Sequence, residues 1–145
     1  MGGLVQKGGG GEPSPDRSSK DIAVVRRAFD AFTARDLKAL EGLTSETAVV
    51  YNPITGAVSG RTRYAGRDAL LDYRADVERV WSRLELRPRT FHSPHPGEVL
   101  VVGEVRGSRG ADTRDVPAAW RWTVVNGEIT FVEILRTPEA LAWIG

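Results

Sequence analysis

Glu104 is the side chain of this sequence most readily turned to proton transfer. It stands mid-strand in the valine-rich segment E-V-L-V-V-G-E-V-R, Glu98 to Arg106. Facing an apolar interior, its carboxyl pKa would rise and it would become an acid/base group. Facing outward, it is an ordinary surface carboxylate. Asn52 closes the segment T-A-V-V-Y-N-P, Thr47 to Pro53, an apolar strand running into a proline. A carboxamide offers a donor and an acceptor but takes no proton at neutral pH. His92 and His95 lie close together in F-H-S-P-H-P. Pro94 and Pro96 make that segment a turn, and no third ligand stands nearby in sequence, so no metal site is expected. The chain has no cysteine, which excludes disulfides, thiolate nucleophiles and sulfur-bound metals.

The chain is 145 residues long and 41% apolar, enough for one domain around a single core. Its formal charge of +1 gives no bulk attraction to nucleic acid or anionic lipid, and neither is expected as a partner. Past Lys20 the basic residues are arginines apart from Lys38. Arginine excess can mean phosphate binding, but acids are interleaved throughout, as codon usage in a GC-rich genome would leave them. No apolar run is long enough to cross a membrane, and the N-terminus lacks the apolar core of a signal peptide. A cytoplasmic setting is the expectation.

Residues 1–18 read as a disordered Gly/Pro-rich tail and residues 19–145 as a single domain. The tail holds six of the chain's 16 glycines and few side chains to bury. Order is expected from Ser18 or Ser19, with Ser18 and Asp21 resembling a capping box. Ile22, Val25, Phe29 and Phe32 then recur at helical spacing. Asp36 is a good N-cap for a short helix, Leu37 to Glu41, with Leu37 and Leu40 buried and Gly42 ending it. The first strand is Thr47 to Tyr51, followed by turns at Pro53, Gly56 and Gly60. A third helix opens near Gly66, carries Asp68 in its first turn, and buries Leu70, Tyr73, Val77 and Val80 beside Trp81. Strands are expected at Arg83 to Arg87, Glu98 to Arg106, Ala118 to Val125 and Glu128 to Leu135. Asn126-Gly127 forms a tight hairpin between the last two. Thr137-Pro138-Glu139 reads as the start of a closing helix packed through Ala140, Leu141, Trp143 and Ile144. Helices first and antiparallel strands after give an α+β fold: a strongly curved, cone-shaped antiparallel sheet covered by three helices.

Four stretches in this order resemble the SnoaL-like and ketosteroid isomerase-like domains of the nuclear transport factor 2-like superfamily. They are V-V-R-R-A-F-D-A-F-T-A-R-D-L-K-A-L from Val24, A-V-V-Y-N-P, Y-A-G-R-D-A-L-L-D-Y, and W-R-W-T-V-V-N-G-E-I-T-F-V-E-I-L. The resemblance spans about Asp21 to Leu141. It implies a cone with an internal cavity. It also implies that the isomerase base falls on Asn52, the tyrosine donor on Ala28, and the acidic donor near Ala119 or Trp120. All three isomerase roles are then missing, and steroid isomerisation is not expected. The acidic and histidine side chains of the family's polyketide cyclases find no equivalent here. Limonene epoxide hydrolases pair an arginine with two aspartates. Arg121 and Arg136 are available, but no aspartate stands at matching positions, and Glu133 is expected to face away from Arg136.

On the strand before the hairpin, Trp120, Trp122 and Val124 share one face, and Arg121, Thr123 and Val125 the other. The resemblance turns the first set toward the cavity, as a ligand lining or as plain core. Asn52 would orient a ligand carbonyl or hydroxyl, or serve as a turn asparagine before Pro53. Tyr73 and Trp81 would close the cavity or belong to the core. Arg136 would bind an anionic group at the mouth, or simply be solvated. The ligand-binding set is therefore Asn52, Tyr73, Trp81, Trp120, Trp122 and Arg136, with a small apolar ligand and no cofactor. Tyr51, Ile129, Phe131 and Leu135 are expected on the outer sheet face, where the resemblance implies a homodimer. Two alternatives stand beside binding. One is an enzyme of cyclase, isomerase or hydrolase type rearranged around Glu104, Arg136 or Asn52. The other is a non-catalytic association module.

Overall fold

A computed structural model describes residues 15–54 and 59–138. The first helix, α1, runs Pro15–Ala34. It starts before Ser18, on a proline whose missing N–H costs nothing in a first turn. Asp21 accordingly lies inside the helix and closes no capping box. Its buried carboxylate accepts the Gly97 N–H at 2.8 Å and pins α1 to the far end of the sheet. Val24, Val25, Ala28, Phe29 and Phe32 form the buried stripe. Arg35, at φ 58°, ends the helix in the left-handed conformation.

Asp36 then caps α2, Leu37–Leu43, accepting the Ala39 N–H at 3.1 Å. Leu40 is fully buried, whereas Leu37 is 52% exposed, because the first helical position points away from the body. Gly42 lies within the helix and does not end it. The stop is Thr44, whose hydroxyl donates to the Leu40 carbonyl as the chain enters β1, Thr44–Tyr51. A short β2, Arg63–Ala65, pairs with β1. The third helix, α3, spans Ala69–Val80; Asp68 stands at its N-cap with no side-chain capping bond.

The remaining strands are β3 (Arg83–His95), β4 (Glu98–Arg109), β5 (Asp112–Val125) and β6 (Glu128–Ile134). The sheet order is β2-β1-β6-β5-β4-β3. Among the described strands only β1 and β6 pair in parallel. The architecture is the expected α+β fold with a curved sheet under helices.

Strands β3, β4 and β5 run well past their expected ends. β3 is an edge strand, so Pro88 and Pro94 fit without breaking the ladder, and His95 belongs to the strand rather than to a turn. Register shifts after Pro88 and after His92 bend β3 over the helices. At the first bend Gly103 faces Pro88, and a Cβ there would lie 2.1 Å from the Arg87 carbonyl oxygen. The close approach at this bend therefore requires glycine. Asn126 and Gly127, at φ 52° and 80°, make the β5–β6 hairpin as expected.

A bulge at Thr130 corrects the assignment of the outer face. Thr123 pairs with Phe131 but Val124 pairs with Ile129, so β6 carries one extra residue. Ile129 is thereby turned inward and fully buried. Tyr51, Phe131 and Leu135 are half-buried. The expected tail through residue 14, Gly56, and the closing helix beyond Pro138 lie outside the described residues.

Candidate functional site

Strand β5 supplies the floor of the cone. Trp120, Trp122 and Val124 point inward and are buried, while Arg121 between them is exposed. Phe29 of α1 packs on both indoles, at 5.1 Å from Trp120 and 5.3 Å from Trp122. Phe32 meets Tyr73 of α3 at 5.8 Å. This packing leaves two small chambers. One, of about 20 Å³, lies among Phe29, Phe32, Leu70 and Trp122. The other, of about 50 Å³, lies among Asn52, Trp81, Val105 and Val116. Tyr73, Leu86, Trp120 and Ile134 line both and form the wall between them.

The polar groups of this interior are few. Asn52 is 2% exposed and takes the turn role foreseen for it while also lining the larger chamber. Its carbonyl oxygen accepts the Ile54 N–H at 2.9 Å, the turn bond expected before and across Pro53. Its amide donates to the Tyr73 hydroxyl at 2.8 Å and so fixes the phenol at the chamber wall. Trp122 presents an indole N–H with no hydrogen-bond partner. Ala28, onto which the resemblance carries the isomerase tyrosine, contributes only a methyl group to the smaller chamber. Among the described residues lining the two chambers there is no carboxylate and no imidazole.

Of the remaining expected residues, Trp81 caps the C-terminus of α3, is buried and lines the larger chamber, with the Arg109 guanidinium 5.8 Å from its ring. Arg136 is exposed past the end of β6 and touches neither chamber. Glu104 lies on the outer face, where its carboxylate accepts from Arg89 at 2.8 Å. Glu133 accepts from Arg121 on that same face. His95 pairs with Glu98 at 3.0 Å on the sheet margin. Among the described residues no group of three His, Cys, Asp or Glu side chains is arranged to hold a metal.

Sequence reasoning overlooked a polar pair beside the cone. Tyr64 of β2 is 1% exposed and donates to the Asp76 carboxylate of α3 at 2.6 Å; Arg79 pairs with the same carboxylate. Burial pushes the Tyr64 phenol above its ordinary pKa. The signal was available: Asp76 follows Tyr73 by three positions on the apolar stripe of α3, where a charge needs a buried partner. Arg74 is a second case. Its guanidinium lies 4.8 Å over Phe32 and reaches Glu78 at 3.6 Å, and desolvation lowers its pKa.

An interior of this kind can hold and orient a small neutral molecule, but its described lining offers no carboxylate or imidazole to take a proton from one. The sequence profile of the SnoaL-like domain matches residues 25–132. The chain belongs to the SnoaL-like domain family. TerC, crystallised with polyporic acid, superposes with a TM-score of 0.75 at 19% identity, over 86% of this chain and 97% of that one. A candidate polyketide cyclase from Sinorhizobium meliloti gives 0.65 at 23% identity, over 81% and 98%. A ketosteroid isomerase-like fold from Catenulispora acidiphila, in complex with trimethylamine, gives 0.68 at 15%, over 83% and 90%. At these identities the likeness is one of fold, that of the nuclear transport factor 2-like proteins. No curated protein sequence matches the chain. No described helix is long and apolar enough to cross a membrane.

Proposed function

We propose that this SnoaL-like domain binds a small, largely apolar molecule in its cone, between Trp120, Trp122, Tyr73 and Asn52. The observation that carries the reading is the pair of adjoining apolar chambers, walled by aromatic rings and edged by an anchored amide–phenol pair. Polyporic acid in the TerC crystal and trimethylamine in the Catenulispora complex support it as examples of small molecules taken by proteins of this fold. Binding is favoured over proton transfer because the carboxylate proposed for chemistry, Glu104, is engaged by Arg89 outside the cone.

The test is tryptophan fluorescence. A panel of polyketide- and terpenoid-like compounds should include members that change emission saturably, since Trp120 and Trp122 line the chambers. Unchanged emission across the panel counts against the reading.

The outer sheet face belongs to the same proposal as the homodimer surface. Val102 is 56% exposed there, and the Arg89–Glu104, Arg106–Asp115 and Arg121–Glu133 pairs give it both signs of charge. A second copy brought to this face would meet apolar surface and complementary charge together. Sedimentation should show a dimer that Val102→Arg dissociates; a wild-type monomer would remove this part.

A further inference from the structure

Trp122 is 5% exposed, and its indole N–H finds no acceptor. A buried donor without a partner is costly and uncommon, and it calls for a reason. Phe29 offers only its ring, 5.3 Å away. Trp122 also lines the smaller chamber. The cone therefore holds an unmet donor at the edge of a small apolar chamber.

We propose that Trp122 sets the polar selectivity of the cone: its indole N–H donates to an acceptor-only oxygen, a ketone, ether or ester, on a compact neutral ligand. This rests on the cone being the ligand site. An indole N–H donates and cannot accept, so the ligand atom must be an acceptor. A hydroxyl is the poorer choice. Among the described residues lining this chamber, Tyr73 alone carries a side-chain acceptor, and its hydroxyl oxygen already accepts from the Asn52 amide. A carboxylate is poorer still, because among the described residues no cationic side chain lines either chamber.

Size narrows the class further. A dry cavity of about 150 Å³ takes benzene, whereas these chambers hold about 20 and 50 Å³. A six-membered ring needs both chambers and some displacement of the wall between them. Leu86 is the part of that wall that can give: it is half-buried on edge strand β3, whereas Tyr73 is held by Asn52.

Cyclohexanone and methylenecyclohexane have nearly the same shape and differ in having an oxygen or a CH₂ at one position. We would titrate each into the ¹⁵N-labelled full chain and follow the indole N–H resonances, assigning that of Trp122 through Trp122→Phe. The expected result is that the ketone binds about tenfold more tightly than the alkene and moves the Trp122 N–H resonance downfield. In Trp122→Phe the preference should reverse toward the alkene, because the ketone then leaves water without gaining a donor. A preference for the alkene in the wild type, with no shift of the Trp122 resonance by the ketone, would overturn the donor role and leave the apolar cone standing. Binding of neither would overturn the cone as a ligand site, and the donor role with it. If Trp122→Phe does not fold, the wild-type preference and the resonance shift decide alone, with the assignment taken by elimination among the four tryptophans from Trp81→Phe, Trp120→Phe and Trp143→Phe.

Discussion

The two faces of β5 and its neighbours share a backbone but not a chemistry. Inside, Trp120 and Trp122 meet Phe29, and the polar groups include a tyrosine, an asparagine and an unpaired indole N–H. Outside, one residue away along the same strands, Arg121 holds Glu133, Arg106 holds Asp115 through two bonds of 2.9 Å, and Arg89 holds Glu104. The carboxylates that would suit acid/base chemistry are engaged where water screens them. The enclosed face keeps neutral hydrogen-bonding groups, those through which the proposed ligand would be positioned.

Substitutions on the two faces should separate sharply. Trp120→Ala removes a buried indole that touches both chambers, and should cost about 3–5 kcal/mol in a urea titration. Arg121→Ala, its neighbour, breaks only an exposed pair and should cost about 1 kcal/mol or less. Equal costs would mean that the cone is not the core of this domain.

A middle-sized effect is expected at the polar pair beside the cone. Tyr64→Phe leaves the buried Asp76 carboxylate short of a donor and should cost about 1–3 kcal/mol. The pH dependence has a definite sign. Burial raises the Tyr64 pKa in the folded chain, so above about pH 10 the unfolded chain releases this proton first. Folding then loses stability as pH rises, and the contribution is intact below that range. Chemical denaturation at pH 8 to 11 should show the decline in the wild type and a weaker one in Tyr64→Phe; identical profiles would contradict it.

Glu104→Gln should have the smallest effect. Its carboxylate lies outside the cone, so stability should change by about 0.5 kcal/mol or less, and ligand affinity should not change. A loss of binding in this variant would move the site to the outer face.

Much of this contrast was legible in strand alternation. Trp120 and Trp122 share a face and Arg121 has the other, and the structure keeps that division. The same rule carried an unused signal for Glu104. Leu100, Val102, Glu104 and Arg106 share one face of β4, whereas Val99, Val101, Gly103 and Val105 share the other. A row with two charges beside a row with none marks the solvent side. Asn52 was legible as both turn residue and cavity residue because its two ends do different work. Ile129 was not, because a bulge depends on how two strands pair and not on the residues of one. The reach of β3 was hidden by Pro88 and Pro94, which are tolerated only because the strand lies at an edge. Nor could the unmet N–H of Trp122 be read in advance, since it depends on which side chains α1 brings against the ring.

The most direct test of the cone as a ligand site is a native mass spectrum, taken on gently purified protein before and after incubation with polyketide- and terpenoid-like compounds. The account predicts a small-molecule mass retained on the folded chain, either from the cell or from the panel. The bare chain in both spectra would contradict it.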